Sequence, residues 1–307
     1  MASWYITDPA RLGSGAQSAR RRLAERLLGP DSSAQIARQV TIARAAVRRG
    51  LTPAGRTSSR ALDALRDAHR GERCVIIGNG PSLNKTDLSL LAGEHTFGLN
   101  RLYMMFDKLG FGTEFHVVVN RHVVEQCADE LAAVPGRLIS TWPNRTLLEQ
   151  RSDAIFLQQI VGPIFSRDPR RGIWEGATVT YVAMQLAYFM GFRDVLLIGV
   201  DHRFATQGPA HTLVTTETQD ANHFDPSYFR NQAWHLPDLE ASELAYRLAR
   251  FFFARAGREI LDATVDGKLQ VFPKLDYAEA LQICGPRGRR SSYSRSGNRP
   301  GTADDPQ

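Results

Sequence analysis

The chain has 307 residues, of which 43% are hydrophobic and 23% are charged. These proportions are those of an ordinary globular protein and exclude a collagen-like, mucin-like or wholly disordered chain. The net charge of +6 is unevenly distributed, because residues 1–70 carry 13 Arg against 5 acidic residues whereas the middle of the chain is acidic.

The two ends of the chain are predicted to be appendages of a central domain. Ala-, Leu- and Arg-rich stretches within residues 17–49 predict helices, 51–59 predicts a linker, and 61–68 predicts a short helix. The last residues are rich in Gly, Ser, Arg and Pro and predict a disordered tail. We therefore expect an arginine-rich helical segment at 1–70, a folded domain at 71–283 and a tail at 284–307. The arginines are interpreted as a solvated helix face, with contact to an anionic membrane surface or a polyanion as the alternative.

The cellular compartment is inferred from patterns that the sequence lacks. No run of about 18 apolar residues predicts a membrane-spanning helix, and residues 1–12 show no secretory signal. The three cysteines are far apart and form no CxxC or Cys/His pattern, so neither a disulfide framework nor a zinc site is expected. The expected location is a reducing cytoplasm, with peripheral attachment at the inner membrane face as a variant.

The middle of the chain alternates between predicted strands and helices. Short apolar runs predict strands at 74–77, 95–100, 115–119, 137–141, 194–199 and 259–262. Apolar residues at helical spacing predict helices at 122–133, 178–190 and 239–254. Apolar strands that alternate with helices predict an α/β fold, in which a mostly parallel sheet is covered by helices on both faces.

The first predicted strand ends in the loop Gly78-Asn79-Gly80-Pro81-Ser82. Ligands of open α/β sheets bind beyond the carboxyl ends of the strands. The two glycines allow the backbone to turn sharply and to approach a ligand closely. Pro81 is a typical first residue of a helix, and the free N–H groups after it would face an anion. The loop therefore predicts a nucleotide-binding turn, with an ordinary strand-to-helix connection as the alternative.

Three asparagines lie at successive predicted strand ends, namely Asn79, Asn100 and Asn120. Because the carboxyl ends of parallel strands meet at one edge of a sheet, these side chains are expected on one rim. Carboxamides can pair with base edges, ribose hydroxyls or phosphate without carrying charge. Each Asn alone is also a common turn residue, but the three together predict a ligand site.

Candidate catalytic side chains follow the strand predicted at 194–199. Asp201 comes directly after it and is either a functional carboxylate or a cap of the next turn. His223 and His235 lie downstream in polar segments rich in aromatic residues, and each is a candidate general base. Asp225 is the expected partner that orients His223.

Several of these motifs occur in an order that resembles a known family. They are CVIIGNGPSL, an Asn-ended strand, VTYVAMQLAYFMGFRDVLLIGVD and NHFDPSYF. This order resembles the MptE-like Rossmann family, which is named for archaeal 6-hydroxymethylpterin pyrophosphokinases and includes the domain of motility-associated flagellin glycosylation proteins. It is also similar to that of bacterial CMP-sialic-acid-dependent sialyltransferases. The resemblance covers roughly residues 72–283 and implies a Rossmann-like, nucleotide-binding fold.

The similarity to the sialyltransferases implies roles for individual residues. His235, just before the last long predicted helix, best matches their catalytic His, and His223 matches the His upstream of it. Arg203 stands where those enzymes place a Tyr that hydrogen-bonds the leaving phosphate, and an Arg would act there through its charge. The residues implied to bind the donor are Gly78, Asn79, Gly80, Pro81, Ser82, Asn100, Asn120 and Asp201.

We therefore expect a transferase, specifically an inverting, metal-independent glycosyltransferase. Its donor would be a nucleotide-activated sugar, foremost a CMP-linked acidic nine-carbon sugar, and its acceptor a hydroxyl of a glycan, a lipid-linked sugar or a protein. Neither a cofactor nor a metal is expected, because Asp87, Asp107, Asp201 and Asp225 are scattered and none of them is paired with an acidic residue at i, i+2 as a Mg²⁺ site would need. Nucleic acid is not an expected partner, and the sequence leaves open whether the chain forms a homo-oligomer. Two alternatives stay open: a 6-hydroxymethylpterin diphosphokinase that uses ATP and Mg²⁺, and a non-catalytic nucleotide-binding scaffold.

Overall fold

The computed structural model describes residues 47–283 apart from 48, 206–207 and 217–218. Its strands, numbered in chain order, form one seven-stranded parallel sheet and a separate antiparallel pair. The sheet contains β1 (Arg73–Ile77), β2 (His95–Leu99), β3 (Phe115–Val117), β4 (Arg137–Thr141), β5 (Ile155–Leu157), β6 (Asp194–Ile198) and β9 (Glu259–Asp262). The pair is β7 (Leu213–Thr216) with β8 (Gln232–His235).

Several helices begin after a residue whose side chain accepts a hydrogen bond from a backbone N–H of the first turn. The helices lying wholly within the described residues are α1 (Pro53–Leu65), α2 (Phe106–Leu109), α3 (Arg121–Gln126), α4 (Ala128–Ala133), α5 (Val179–Met190), α6 (Leu239–Arg255) and α7 (Tyr277–Ile283). The Thr178 side chain caps α5 by accepting a hydrogen bond from Thr180 N, and Gly191 ends that helix at a φ of 94°. Asp238 caps α6 in the same way through Ala241 N.

Helices cover both faces of the sheet, as predicted for this α/β, Rossmann-like fold. Cys74 and Ile76 of β1 are fully buried in a cluster that includes side chains of α1, α5 and α6. Val75 and Ile77 point to the other face and join a cluster with α3, α4 and α7. Successive residues of β1 thus pack into two different cores, which explains why the strand is apolar throughout.

The strand order places a crevice beside β1. The order across the sheet is β5-β4-β3-β2-β1-β6-β9. The chain therefore runs outward from β1 to β5 and then returns to place β6 on the other side of β1. Such a reversal opens a ligand crevice at the carboxyl ends of the two strands that flank it. The segments 78–82 and 199–204, which follow β1 and β6, thus lie side by side.

Two predictions about local structure were wrong. Residues 51–59 are not a linker, because α1 begins at Pro53 and its Ser58 Oγ accepts a hydrogen bond from Phe156 N of β5 at 2.9 Å. The helix predicted at 122–133 is two short helices that break at Cys127, whose φ is −137°. The short strands β5, β7 and β8 were not predicted.

Some predictions lie outside what the structure describes. The helices expected within residues 17–46 and the tail at 284–307 belong to that part of the chain. Among the described residues, no helix is both long enough and apolar enough to cross a membrane.

Candidate active site

Two adjoining cavities lie along the carboxyl edge of the sheet. The first, which we call the loop cavity, has a volume of about 160 Å³, and its lining includes Gly78, Asn79, Gly80, Asn100, Asp201, Arg203 and His223. The second, which we call the side cavity, has a volume of about 450 Å³, and its lining includes Asn100, Asn120 and His235. Both cavities are lined by Asn100, Ala177, Thr178, Val179 and Pro237. The cleft therefore brings together most of the predicted site residues, while Pro81 and Ser82 line neither cavity.

Asp201 holds the loop that follows β1. Its Oδ1 accepts a hydrogen bond from Ser82 N at 3.2 Å, and its Oδ2 accepts one from Ser82 Oγ at 2.6 Å. Asp201 and Ser82 are both buried. Asp201 is therefore a positioning residue for the loop, and its two carboxylate oxygens are already engaged by the protein.

The two glycines of the loop are required by the segment after β6. A Cβ atom on Gly78 would lie 2.2 Å from the carbonyl oxygen of Gly199. A Cβ atom on Gly80 would lie 1.9 Å from Asp201 Oδ2. Both distances are far below van der Waals contact, so the close approach that the glycines allow is first an approach to the protein itself.

The expected set of free N–H groups after Pro81 is not what the loop presents. Ser82 N bonds to Asp201, and Leu83 N donates to Gly80 O at 3.2 Å. Gly80 N is likewise engaged, by Gly199 O at 2.9 Å. The segment that Pro81 starts is a 3-10 turn over Pro81–Lys85 and not an α-helix. This part of the anion-binding prediction was wrong, because these N–H groups form hydrogen bonds within the protein.

Asn79 and Asn100 offer acceptor atoms to a ligand instead. The Oδ1 atoms of both side chains are buried and have no hydrogen-bond partner within the described structure. Buried carboxamide oxygens of this kind cost free energy unless a donor reaches them. A ligand hydroxyl or amino group in the loop cavity would supply that donor.

His116 of β3 fixes the backbone of Asn100 and was missed in the sequence. Asn100 has a φ of 49°, and its carbonyl oxygen lies 2.7 Å from His116 Nε2. His116 is fully buried, and burial lowers its pKa to about 4, so the ring is neutral and Nε2 donates to Asn100. In a strand that is otherwise apolar, a His was not recognisable from sequence as the support of a residue sixteen positions earlier.

Backbone strain is concentrated at the cleft. Asn100, Ala177 and His202 line the loop cavity with φ values of 49°, 60° and 52°. This left-handed region is disfavoured for residues other than glycine, and Ala177 has no side-chain hydrogen bond to offset the cost. Strained residues of this kind cluster at functional sites, where the surrounding structure holds them in place.

His223 is oriented by Asp220, which sequence reasoning missed. His223 Nδ1 lies 2.8 Å from Asp220 Oδ2, and its ring stacks on Tyr228 at 4.0 Å. Burial raises the pKa of Asp220, but the hydrogen bond and charge of His223 outweigh it and leave that pKa below its usual value. An ionised Asp220 can only accept, so Nδ1 of His223 carries a proton, and in the neutral ring the lone pair therefore lies on Nε2. The prediction that Asp225 orients His223 was wrong, because Asp225 Oδ1 accepts a hydrogen bond from Ser227 N at 2.7 Å.

His235 lies in the side cavity and not in the loop cavity. Its ring stacks on that of His122 with centroids 5.0 Å apart. Burial lowers the pKa of His235, and the neighbouring His122 and His211 lower it further. Asn120, in the same cavity, caps α3 by accepting a hydrogen bond from His122 N at 2.9 Å. The two histidines named from the sequence are thus divided between the two cavities, and the exposed side chain of Arg203 lies with His223.

The parallel sheet, covered by helices on both faces and reversing its strand order beside β1, defines a Rossmann-like α/β fold. Residues 54–207 match the family described as 6-hydroxymethylpterin diphosphokinase MptE-like, and the chain belongs to that family. This confirms the resemblance seen in the sequence.

Comparison with other proteins adds one structural neighbour. No curated protein matches the chain. Among solved structures, the chain is similar to the MAf glycosyltransferase from Magnetospirillum magneticum AMB-1, with 12% sequence identity and a TM-score of 0.47. The alignment covers 72% of this chain and 38% of that enzyme, so the chain spans well under half of the enzyme's length.

Proposed function

We propose that the protein transfers a sugar from a nucleotide-activated donor to the hydroxyl group of an acceptor. One observation carries the proposal: a histidine oriented by a buried carboxylate lines the same cavity as the loop at 78–80. In its neutral form His223 offers the lone pair of Nε2 to a proton, and the loop lies where Rossmann-like proteins bind nucleotides. The sequence slightly favoured His235 as the base, but the shared cavity favours His223.

The proposed reaction is a single inverting displacement. The acceptor oxygen forms a bond to the anomeric carbon of the donor while its proton passes to His223 Nε2. The bond between the anomeric carbon and the phosphate oxygen breaks, and its electron pair leaves with the nucleotide. Arg203 lines the cavity and would stabilise the charge that develops on the departing phosphate.

The unpaired carboxamide oxygens support a ligand that brings hydrogen-bond donors. Asn79 Oδ1 and Asn100 Oδ1 can each accept from a ribose hydroxyl or from the amino group of a base. Cytosine carries such an amino group next to its ring nitrogen, whereas uracil carries a carbonyl at that position. Adenine and guanine carry amino groups as well, so the choice of cytosine rests on the similarity in sequence to the CMP-sialic-acid-dependent sialyltransferases. On that basis we propose a CMP-linked sugar as the donor, and a glycan, a lipid-linked sugar or a protein as the acceptor.

The second candidate is the diphosphokinase activity after which the family is described. The same histidine could activate the hydroxymethyl group of a pterin. Phosphoryl transfer also needs carboxylates that hold Mg²⁺ at the phosphates. Among the described residues, Asp201 is the acidic side chain that lines the loop cavity, and both of its oxygens are bonded to Ser82. This engagement favours glycosyl transfer over the diphosphokinase. A non-catalytic scaffold would have no use for an oriented histidine beside the loop.

A thermal-shift panel tests the proposal. CMP, CDP, UDP, GDP and ATP are each added to the protein with and without Mg²⁺, since a ligand that binds the native state raises its melting temperature. We expect CMP to give the largest rise and Mg²⁺ to leave it unchanged. A rise with ATP that depends on Mg²⁺, together with turnover of 6-hydroxymethylpterin, would replace this proposal by the diphosphokinase.

A further inference from the structure

The side cavity is the larger of the two and is lined by an unusual set of polar groups. Its volume is about 450 Å³. Six carboxamide or carboxyl side chains line it together with one indole, namely Asn100, Asn120, Asn144, Gln159, Glu175, Asp238 and Trp174. Planar amides and carboxyls bind vicinal hydroxyl groups, and an indole packs against the C–H groups of a ring. The lining is thus suited to a small ring that carries many hydroxyl groups.

Asn144 provides an acceptor that the protein leaves unused. The side chain is 1% exposed, and its Nδ2 donates to Val119 O and Ser140 Oγ, each at 3.1 Å. These two bonds fix the orientation of the carboxamide. Its Oδ1 is buried without a hydrogen-bond partner in the described structure, as is Oδ1 of Asn100 in the same cavity. A hydroxyl group of a ligand would satisfy each of them.

Glu175 provides the complementary donor. Gln159 Nε2 donates to Glu175 Oε1, and this bond orients the carboxyl group. Burial raises the pKa of Glu175 to about 7, and the bond from Gln159 offsets only part of that rise. At neutral pH and below, a large fraction of the group therefore carries a proton that it can donate. The next two residues, Gly176 and Ala177, have φ values of 59° and 60°, so this strained turn holds Glu175 at the cleft.

We propose that the side cavity binds a sugar ring, with Glu175 and Asn144 as its specificity-determining residues. The role of this cavity in catalysis rests on the function proposed above, because the bound ring would be either the sugar of the donor or the terminal sugar of the acceptor. The cavity adjoins the loop cavity along Asn100 and Ala177, so either ring would lie next to the bound nucleotide.

Saturation-transfer NMR with free sugars tests this assignment without relying on turnover. N-acetylneuraminic acid stands for the ring of the donor, and galactose and N-acetylglucosamine stand for acceptor rings. We expect at least one of them to receive saturation from the protein. We expect Glu175→Leu and Asn144→Leu each to weaken its binding about tenfold or more, because each removes a hydrogen-bond partner of the ring. Glu149→Leu, at an exposed carboxylate that lines neither cavity, is the matched control and should bind as the wild type does.

The pH dependence of sugar binding distinguishes the contribution of Glu175 from those of the other titratable groups in the cavity. The other titratable groups that line the side cavity are Arg121, His211, His235 and Asp238. Wild-type binding should weaken as the pH rises through 7, whereas Glu175→Gln, which stays neutral, should bind without that loss. A loss that persists in Glu175→Gln would assign it to another group and overturn the role of Glu175.

The outcomes also separate this inference from the proposed function. The CMP-induced rise in melting temperature, measured on each variant, reports on the loop cavity and on folding. Binding of CMP but of none of the three sugars would overturn the sugar-ring assignment and leave the proposed function standing. Unchanged sugar binding in both Leu variants would place the sugar elsewhere and overturn it as well. Sugar binding without any nucleotide binding would overturn the proposed function alone.

Discussion

The backbone N–H of Phe224 donates a hydrogen bond of 2.9 Å to the carbonyl oxygen of Asn79. The carbonyl oxygen of Phe224 in turn accepts one of 2.6 Å from Asn84 Nδ2. These two bonds join the loop after β1 to a segment that lies about 145 positions later in the chain. Because His223 directly precedes Phe224, they also set its ring at the loop cavity. The candidate base and the candidate nucleotide loop are therefore one connected unit.

The pair of His223 and Asp220 predicts a selective loss of turnover in Asp220→Asn. The amide no longer enforces the tautomer in which Nδ1 carries the proton, so Nε2 loses its defined role as acceptor. A positioned His contributes ~10²–10⁴-fold to such reactions, and we expect the variant to lose at least about tenfold in rate. Steady-state transfer and CMP affinity, measured together, check this expectation.

Asp225→Asn is the matched control, because Asp225 lies two residues after His223 but bonds to Ser227. It should keep wild-type turnover. Equal losses in the two variants would show that the effect comes from disturbing the segment and not from the orientation of His223.

Gly80→Ala is expected to destabilise the fold through Asp201. The added Cβ would lie 1.9 Å from Asp201 Oδ2, and overpacking of this kind costs roughly 1–3 kcal/mol. Denaturant unfolding measures the loss, and Gly50→Ala, whose Cβ would meet no atom of the described residues within 4 Å, should unfold like the wild type. The double variant Gly80→Ala, Asp201→Ala should lose less stability than the sum of the two single changes. Strict additivity would mean that the two residues do not meet as described.

Much of this architecture could be predicted from the sequence, because the patterns that indicate it lie within short stretches of the chain. The strands β1 and β6 are buried on both faces, so their apolar runs stand out, and the carboxyl ends of parallel strands must share an edge. That geometry brought Asn79, Asn100 and Asp201 together as expected. The partner of His223 could not be predicted, because the conformation of residues 220–224 depends on the distant bond between Phe224 and Asn79. The position of His235 depends likewise on the pairing of β8 with β7, two strands too short to show a periodicity.

Asn79→Ala should weaken nucleotide binding while leaving stability almost unchanged. Asn79 Oδ1 has no partner in the described structure, so its removal breaks no bond of that atom and removes one proposed to the ligand. We expect about a tenfold loss of CMP affinity by calorimetry.

Asn84→Ala should show the opposite pattern, because Asn84 Nδ2 donates a hydrogen bond to Phe224 O and the residue lines neither cavity. Unfolding should become easier by about 1 kcal/mol, with CMP affinity close to that of the wild type. Equal CMP affinities in both variants would remove Asn79 from the nucleotide site.

The buried His116 should make the stability of the fold sensitive to acid. Its pKa is about 4 in the folded protein and about 6.5 when exposed, so the folded state favours the neutral ring. Its contribution to stability is therefore fully present above pH 6.5 and is lost as the pH falls from there towards 4. At ~1.4 kcal/mol for each pKa unit, the loss amounts to about 3 kcal/mol. His116→Gln keeps a donor for Asn100 without titrating, so its free energy of unfolding should fall less than that of the wild type between pH 7 and pH 4. Parallel curves would show that His116 does not titrate as described.

The central claim is that His223 accepts the acceptor's proton beside a nucleotide held at the loop of β1. The most direct measurement is the rate of transfer or hydrolysis of a CMP-linked nine-carbon sugar by the wild type, His223→Ala and His235→Ala, with CMP affinity measured on the same samples. We predict that His223→Ala loses ~10²–10⁴-fold in rate and keeps its affinity for CMP, as expected when a general base is removed, whereas His235→Ala keeps a measurable rate. Turnover of His223→Ala at the wild-type rate would contradict the account.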